Sequence, residues 1–412
     1  MDSGGVGQAL DALFAEANLA ADHQLPALAR RHVASFGGLD ITCYLVDLQQ
    51  LVLVPFLGSD ASAQTGSQQA VEIEATIAGR VYQQLVPITQ QLDDATSVVW
   101  LPLVQGAQRL GVAAVTVAAS AADDASNQDR LVQLRGFVSI LSELIITKSL
   151  SGDAIVRLRR TSEMGLAAEM QWALLPPLAF ESPHVALAAM LEPAYHVAGD
   201  SVDYAVDAGR AHVAIYDAMG HGIGSVQLVA MAVAAYRNAR RSGRSLPDTC
   251  LQVDDALLEA FDDSAYTTAI FAELDTTSGM LSWVSAGHPE PLLLRQGKMI
   301  KSLHAQPRPP LGIALLGREE LRTPHLDSEQ LQPEDSVLFY TDGVTEARSP
   351  DGDFFGEQRL TDLVVRNLAA GLSTSETMRR VVAALLDHRQ AKLSDDATLL
   401  LLRWPGPEPA HK

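Results

Sequence analysis

The stretch His212-Val213-Ala214-Ile215-Tyr216-Asp217-Ala218-Met219-Gly220-His221-Gly222 sets the reading of the C-terminal half. An apolar run of this length reads as a buried strand that ends on a carboxylate. The glycines after Asp217 let the backbone approach a metal or phosphate closely. The periodic segment 224–240 then reads as a helix whose N-terminus favours anionic charge. The same grammar recurs in Phe339-Tyr340-Thr341-Asp342-Gly343, after the strand-like run 337–340. Asp200 lies in Ala198-Gly199-Asp200-Ser201-Val202-Asp203, and Asp395 in Ser394-Asp395-Asp396-Ala397-Thr398, just before a last strand. A single aspartate in a turn is more simply a cap or an Asx-turn. Four at strand edges point instead to an all-oxygen cage for hard divalent cations such as Mn²⁺ or Mg²⁺. Two such ions can hold a water and clamp a phosphoryl group for in-line attack, so phosphoester hydrolysis is the expected chemistry.

Outward from these signatures the texture is β-rich. Strands are expected at 185–192, 204–207, 212–217, 269–274, 281–285, 291–295, 337–340 and 398–403. Helices are expected at 224–240, 246–261, 358–366 and 374–386. Strand runs interrupted by helical pairs argue an α+β fold, a β-sandwich flanked by helices in αββα layers. This domain is assigned to 178–404, and the proline-rich 405–412 is read as a loose tail.

Residues 1–128 alternate helical and strand signals. Helices are expected at 25–36 and 74–84, strands at 41–47, 51–56, 98–103 and 111–118, and a loop at 58–69. The segment 129–177 is read as a helical linker. Leu131, Leu134, Val138, Leu141 and Ile145 follow the spacing of a coiled-coil seam. Two readings fit it: a homodimer through the linker helices, or two helices packing on their own domains. Ser151-Gly152-Asp153 interrupts the seam and is expected to supply an N-cap for a helix over 154–174, which Pro176-Pro177 stops.

The 412 residues suit two or three domains. A formal net charge of −20 argues against a nucleic-acid partner and against docking on an anionic membrane. Cys43 and Cys250 sit in separate apolar runs, which fits neither a disulfide framework nor a thiolate metal site. No secretory leader is evident at the start and no apolar run is long enough to span a bilayer, so a cytoplasmic location is expected.

The N-terminal alternation, closing on Trp100-Leu101-Pro102-Leu103 and Leu110-Gly111-Val112, resembles a GAF-type α/β sensor domain, with a PAS-like or unrelated α/β fold as the other reading. Its ligand or regulatory protein is not identified by any motif. Residues from about 169 to 403 resemble the SpoIIE-type branch of the metal-dependent (2C-like, PPM) serine/threonine protein phosphatases. Ala168-Glu169-Met170-Gln171-Trp172-Ala173-Leu174-Leu175-Pro176-Pro177 and Val197-Ala198-Gly199-Asp200 open the resemblance. Asp217-Ala218-Met219-Gly220-His221-Gly222, Thr267-Thr268-Ala269-Ile270-Phe271 and Ser285-Ala286-Gly287-His288-Pro289 continue it. Pro310-Leu311-Gly312-Ile313, the Asp342 signature and the Asp395 signature complete it.

The resemblance implies a two-ion centre on Asp200, Asp217, Asp342 and Asp395, with the backbone carbonyl of Ala218. It also implies a phosphoserine- or phosphothreonine-bearing protein substrate, such as a phosphorylated anti-sigma-factor antagonist of partner-switching signalling. Between Asp395 and Asp396 the former is favoured as the metal ligand. The family's usual Gly-Gly-Asp-Phe-Tyr-Asp reads Ala-Gly-Asp-Ser-Val-Asp here, so substrate contacts beside Asp200 are expected to differ. A catalytically weak scaffold that binds a partner through this domain is the rival reading. His221 and His288 are read as local turn-formers, and Trp172 either as core packing or as part of a switch in the connecting helix.

Overall fold

The computed structural model describes residues 3–58, 69–119, 124–192, 194–195, 199–261, 265–314, 319–389 and 396–407. The chain separates into two compact units, Met1–Ser162 and Glu163–Lys412.

The first unit contains helices α1 (Ser3–Leu19), α2 (Leu25–His32), α3 (Ile77–Gln84), α4 (Asp124–Ser149) and α5 (Ala154–Leu158). Its strands are β1 (Asp40–Val46), β2 (Val52–Phe56), β3 (Val71–Glu72), β4 (Ile88–Gln91), β5 (Thr96–Gln105) and β6 (Gln108–Ala118). They form one antiparallel sheet in the order β3-β2-β1-β6-β5-β4. Period-two alternation decides which face each residue serves. Ile41, Cys43 and Leu45 of β1 join a core with α1, α2 and α4, while Val46 joins Tyr82 and Val81 of α3 on the opposite face. Phe36 stacks on Phe137 of α4 at 4.5 Å.

The expected seam is consumed inside this unit. Leu134, Val138, Leu141 and Ile145 are all buried in its core, as the reading of helices packing on their own domain requires. The expected continuous helix over 154–174 is broken into α5 and, in the second unit, α6 (Leu166–Leu174). Arg159 turns away to donate to the Val46 carbonyl (2.9 Å), and Gly165 enters α6 in an extended conformation. Asp153 makes no side-chain cap to α5. Instead Asp22 accepts from the backbone N–H of Ala154 at 2.7 Å. Most of the expected 58–69 loop lies outside the described residues.

The second unit continues with β7 (Ala179–Glu181), β8 (Ala186–Glu192), β9 (Asp200–Asp207), β10 (Arg210–Ala218), α7 (Ile223–Arg241), α8 (Leu246–Ala260), β11 (Thr267–Asp275) and β12 (Met280–Ala286). It closes with β13 (Leu292–Arg295), β14 (Lys298–Ser302), β15 (Asp327–Gln330), β16 (Ser336–Tyr340), α9 (Asp342–Thr345), α10 (Glu357–Ala369), α11 (Thr374–Arg389) and β17 (Ala397–Arg403). One antiparallel sheet runs β15-β12-β11-β10-β9 and the other β14-β13-β16-β17-β8-β7.

The central strands β8, β16 and β17 are buried on both faces, so their sequences are apolar over most of their length. Leu400 and Leu402 of β17, Val337 and Phe339 of β16, and Val213 and Ile215 of β10 meet between the sheets. Their neighbours Leu399, Leu401, Leu338 and Tyr340 pack under α10 and α11. Ala214 and Tyr216 pack under α7 and α8. The order is helices, sheet, sheet, helices, as the sequence pattern required. Short edge strands such as β15, Asp-Ser-Glu-Gln, carry no apolar signal because neither face is deeply buried.

Candidate active site

The inter-sheet core changes chemistry at one end. Along β10 the residues facing between the sheets are Val213, Ile215 and then Asp217; along β9, read backwards, they are Val202 and then Asp200. Asp200 and Asp217 are direct partners in the β9–β10 ladder. From the other sheet, Leu402 and Leu400 of β17 are followed by Thr398. The last layer of an apolar core is thus replaced by carboxylates and hydroxyls.

Asp200, expected ahead of its strand, is the first residue of β9 and is 2% exposed. Thr341 donates its hydroxyl to Asp200 Oδ2 at 2.7 Å, and the backbone N–H of Thr398 donates to that same hydroxyl oxygen at 2.9 Å. The Asp200 backbone N–H donates to Asp396 Oδ2 at 3.2 Å. Asp396, not singled out as the ligand by sequence, is therefore buried against Asp200. Asp395 lies outside the described residues. Burial, then the charges of Asp217 and Asp396, push the Asp200 carboxyl well above the usual carboxylate range; the Thr341 and Thr398 hydroxyls only partly offset this.

Asp342 opens the short helix α9 and is exposed. Its placement is fixed by Gly343: a Cβ there would fall 1.8 Å from the Asp396 carbonyl oxygen, so only glycine lets the Asp342 turn lie on the Asp396 backbone. Ala218 ends β10, and its N–H donates to the Gly199 carbonyl at 2.9 Å. A side chain at Gly199 would enter a space bounded by Ala218 O, Gly220 O and Asp396 Oδ2, at 3.1, 3.2 and 3.5 Å.

A buried carboxyl crowded by two like charges is the environment that a divalent cation relieves. The donors are oxygens throughout, as hard Mg²⁺ or Mn²⁺ prefers. Among the described residues no three His, Cys, Asp or Glu side chains form a cage by themselves. Mg²⁺ does not need one, since it keeps several waters and takes one or two carboxylates. The residues present therefore fit such an ion, with main-chain oxygens near Gly199 in reach.

The altered residues beside Asp200 leave the carboxylates in place. Ser201 is fully buried and Val202 fills the inter-sheet core. Sequence reasoning gave Gln171 no separate role: its side-chain amide donates to the Asp200 carbonyl at 2.6 Å. Trp172 Nε1 donates to the Ala194 carbonyl at 2.9 Å, so this ring is anchored as well as packed. Arg237 donates to both Asp203 and the Leu174 carbonyl, each at 2.7 Å. His221 is exposed, whereas His288 is buried.

A four-layer αββα sandwich with aspartates converging at one end of its two sheets defines the PP2C-like class of folds. Within that class, residues 207–405 match the family model of Stage II sporulation protein E (SpoIIE). The match contains Asp217, Asp342 and Asp396, and begins seven residues after Asp200. Protein IcfG of Synechocystis sp. is 28% identical over 245 residues, covering 52% of this chain and 37% of IcfG. Phosphoserine phosphatase RsbU of Bacillus subtilis is 24% identical over 243 residues, covering 59% of this chain and 70% of RsbU. The RsbU and RsbW domains of Rv1364c from Mycobacterium tuberculosis align with a TM-score of 0.46 at 25% identity, over 55% of this chain and 62% of that one. The chain thus spans little more than a third of IcfG's own length. Among the described residues no helix is long and apolar enough to cross a membrane.

Proposed function

We propose that the second unit is a Mn²⁺- or Mg²⁺-dependent serine/threonine protein phosphatase acting on a phosphorylated signalling protein, in the manner of a phosphorylated anti-sigma-factor antagonist. The convergence of Asp200, Asp217 and Asp396 at one end of the sandwich carries this reading. Asp342, set on the Asp396 backbone through Gly343, completes the carboxylate set. Asp396 takes the ligand role that the sequence reading gave to Asp395.

Bound cations supply charge neutralisation for the phosphoryl group and a nucleophile at neutral pH. The chain's own part is placement. Thr341 fixes one oxygen of Asp200 and so orients its carboxyl group. Thr267 donates to the Asp217 carbonyl at 2.9 Å and holds the end of β10. The substitution of Ser201 and Val202 for aromatics alters packing behind the site and not the donor set.

We read the first unit as a GAF-like sensor. Support for its control over activity comes from α6, the first helix after the boundary between the units. Gln171 on that helix reaches the backbone of a proposed ligand residue. A phosphoserine-bearing substrate is supported by the likeness to the phosphoserine phosphatase RsbU.

The test is release of phosphate from an aryl phosphate and from a phosphoserine protein by the full chain with Mn²⁺. Turnover that is lost in excess chelator and in Asp217→Asn supports the reading. Chelator-insensitive turnover, or none by a chain that binds no Mn²⁺, removes it.

A further inference from the structure

The turn Ala286-Gly287-His288-Pro289 leaves β12 of one sheet and enters β13 of the other, at the carboxylate end of the sandwich. His288 is 6% exposed. Its Nδ1 lies 2.7 Å from the hydroxyl of Thr268, and Thr268 stands directly opposite Asp217 in the β10–β11 ladder. The other side of the ring faces the main chain of Tyr340, two residues before Asp342. There Nε2 is buried without a hydrogen bond of normal geometry. The turn itself has no slack. Gly287 adopts φ +69°, and Pro310 stands 2.9 Å from where a Cβ at 287 would be.

We propose that His288 is a positioning residue that spans the two sheets and sets the separation of Asp217 from Asp342. The inference rests on the reading of these aspartates as metal ligands. One carboxylate comes from each sheet, and this imidazole touches the ladder partner of Asp217 in one and faces the main chain two residues before Asp342 in the other. Burial holds the ring neutral, with its pKa pushed down to about 3. The tautomer that serves both sides accepts the Thr268 hydroxyl at Nδ1 and keeps its proton on Nε2, toward the Tyr340 carbonyl. Groups that orient the residues holding a metal commonly alter affinity or activity by 10–100-fold when removed, without touching the ion.

The experiment compares the full chain with Thr268→Val, His288→Asn and His288→Phe. Mn²⁺ binding is read by calorimetry, melting in chelator, and kcat and KM with an aryl phosphate. Thr268→Val keeps shape and loses only the hydroxyl, so it guards against a His288 variant that does not fold. The expected result is a loss of about tenfold or more in Mn²⁺ affinity and in kcat for Thr268→Val and His288→Phe, with KM little changed. His288→Asn, which keeps a polar atom near Thr268, should recover part of the loss. Folded variants that bind Mn²⁺ and turn over within about twofold of the parent overturn the proposal, even if their melting temperatures fall. A parent that binds Mn²⁺ without hydrolysing phosphoesters removes the phosphatase reading, and calorimetry alone then decides the role of His288.

Discussion

Gln171 donates its side-chain amide to the backbone carbonyl of Asp200 at 2.6 Å, so α6 is hydrogen-bonded to the first residue of β9. Both residues are buried, so the bond is shielded from competing water. Losing it leaves a buried carbonyl short of a partner, a cost of about 1–3 kcal/mol. Gln171→Leu should therefore loosen Asp200 and shrink the rise in melting temperature that Mn²⁺ produces. Differential scanning calorimetry with and without Mn²⁺ checks it; an unchanged metal-dependent shift would disconnect α6 from the site.

Asp200→Asn should have opposite effects in the two states. With Mn²⁺ it should abolish turnover. In chelator it should raise stability, because it removes a buried charge crowded by those of Asp217 and Asp396. Urea unfolding in chelator reads the sign. A destabilised metal-free variant would show that the carboxylate serves the fold and not an ion.

Asp395 and Asp396 can be separated directly. Asp396 is buried against the Asp200 backbone, so Asp396→Asn should cost about 10²-fold or more in kcat. Asp395→Asn should cost far less. Parallel kinetics of the two variants settles it, and a reversed order would return the ligand role to Asp395.

His288 also predicts an acid limb in stability. Its folded pKa of about 3 lies below the ordinary value of 6.5. Between these values the unfolded chain binds the extra proton, so stability is fully present above about pH 6.5 and falls as pH drops toward 3. The slope approaches about 1.4 kcal/mol per pH unit. His288→Gln should flatten that part of a urea-midpoint profile recorded in chelator between pH 4.5 and 7. An unchanged profile would mean that another group governs acid sensitivity.

Both cysteines are buried, and burial pushes the Cys43 thiol up to about 12 and Cys250 up to about 11. At pH 8 the native chain should resist a thiol reagent, while the same chain in concentrated urea should label at both positions. Mass spectrometry counts the adducts.

The second unit was legible because burial on both faces writes itself as long apolar runs. Strands ending at Asp217 and before Asp342 were read almost to the residue for that reason. Edge strands such as β15 were not, since their polar residues carry no periodic signal. The helical seam at Leu134, Val138 and Leu141 was legible as spacing but ambiguous as partner, because a core helix and a coiled coil share the same stripe. Asp217 and Asp200 could be nominated from their signatures. The Asp395-Asp396 pair was legible as a candidate, but the burial of Asp396 beside Asp200 depends on tertiary approach, which Gly343 permits. Gln171 gave no local sign of its contact, because its partner is a backbone carbonyl far along the chain.

The carboxylate layer continues the packing between two sheets, and its members are divided between them. A displacement of one sheet against the other by a fraction of an ångström would leave the apolar layers in contact and the hydrogen-bond ladders whole. It would nevertheless pull Asp217 away from Asp342. Heat should therefore silence the protein before it melts, with an inactivation midpoint several degrees below the calorimetric one and full recovery on cooling from the interval between them.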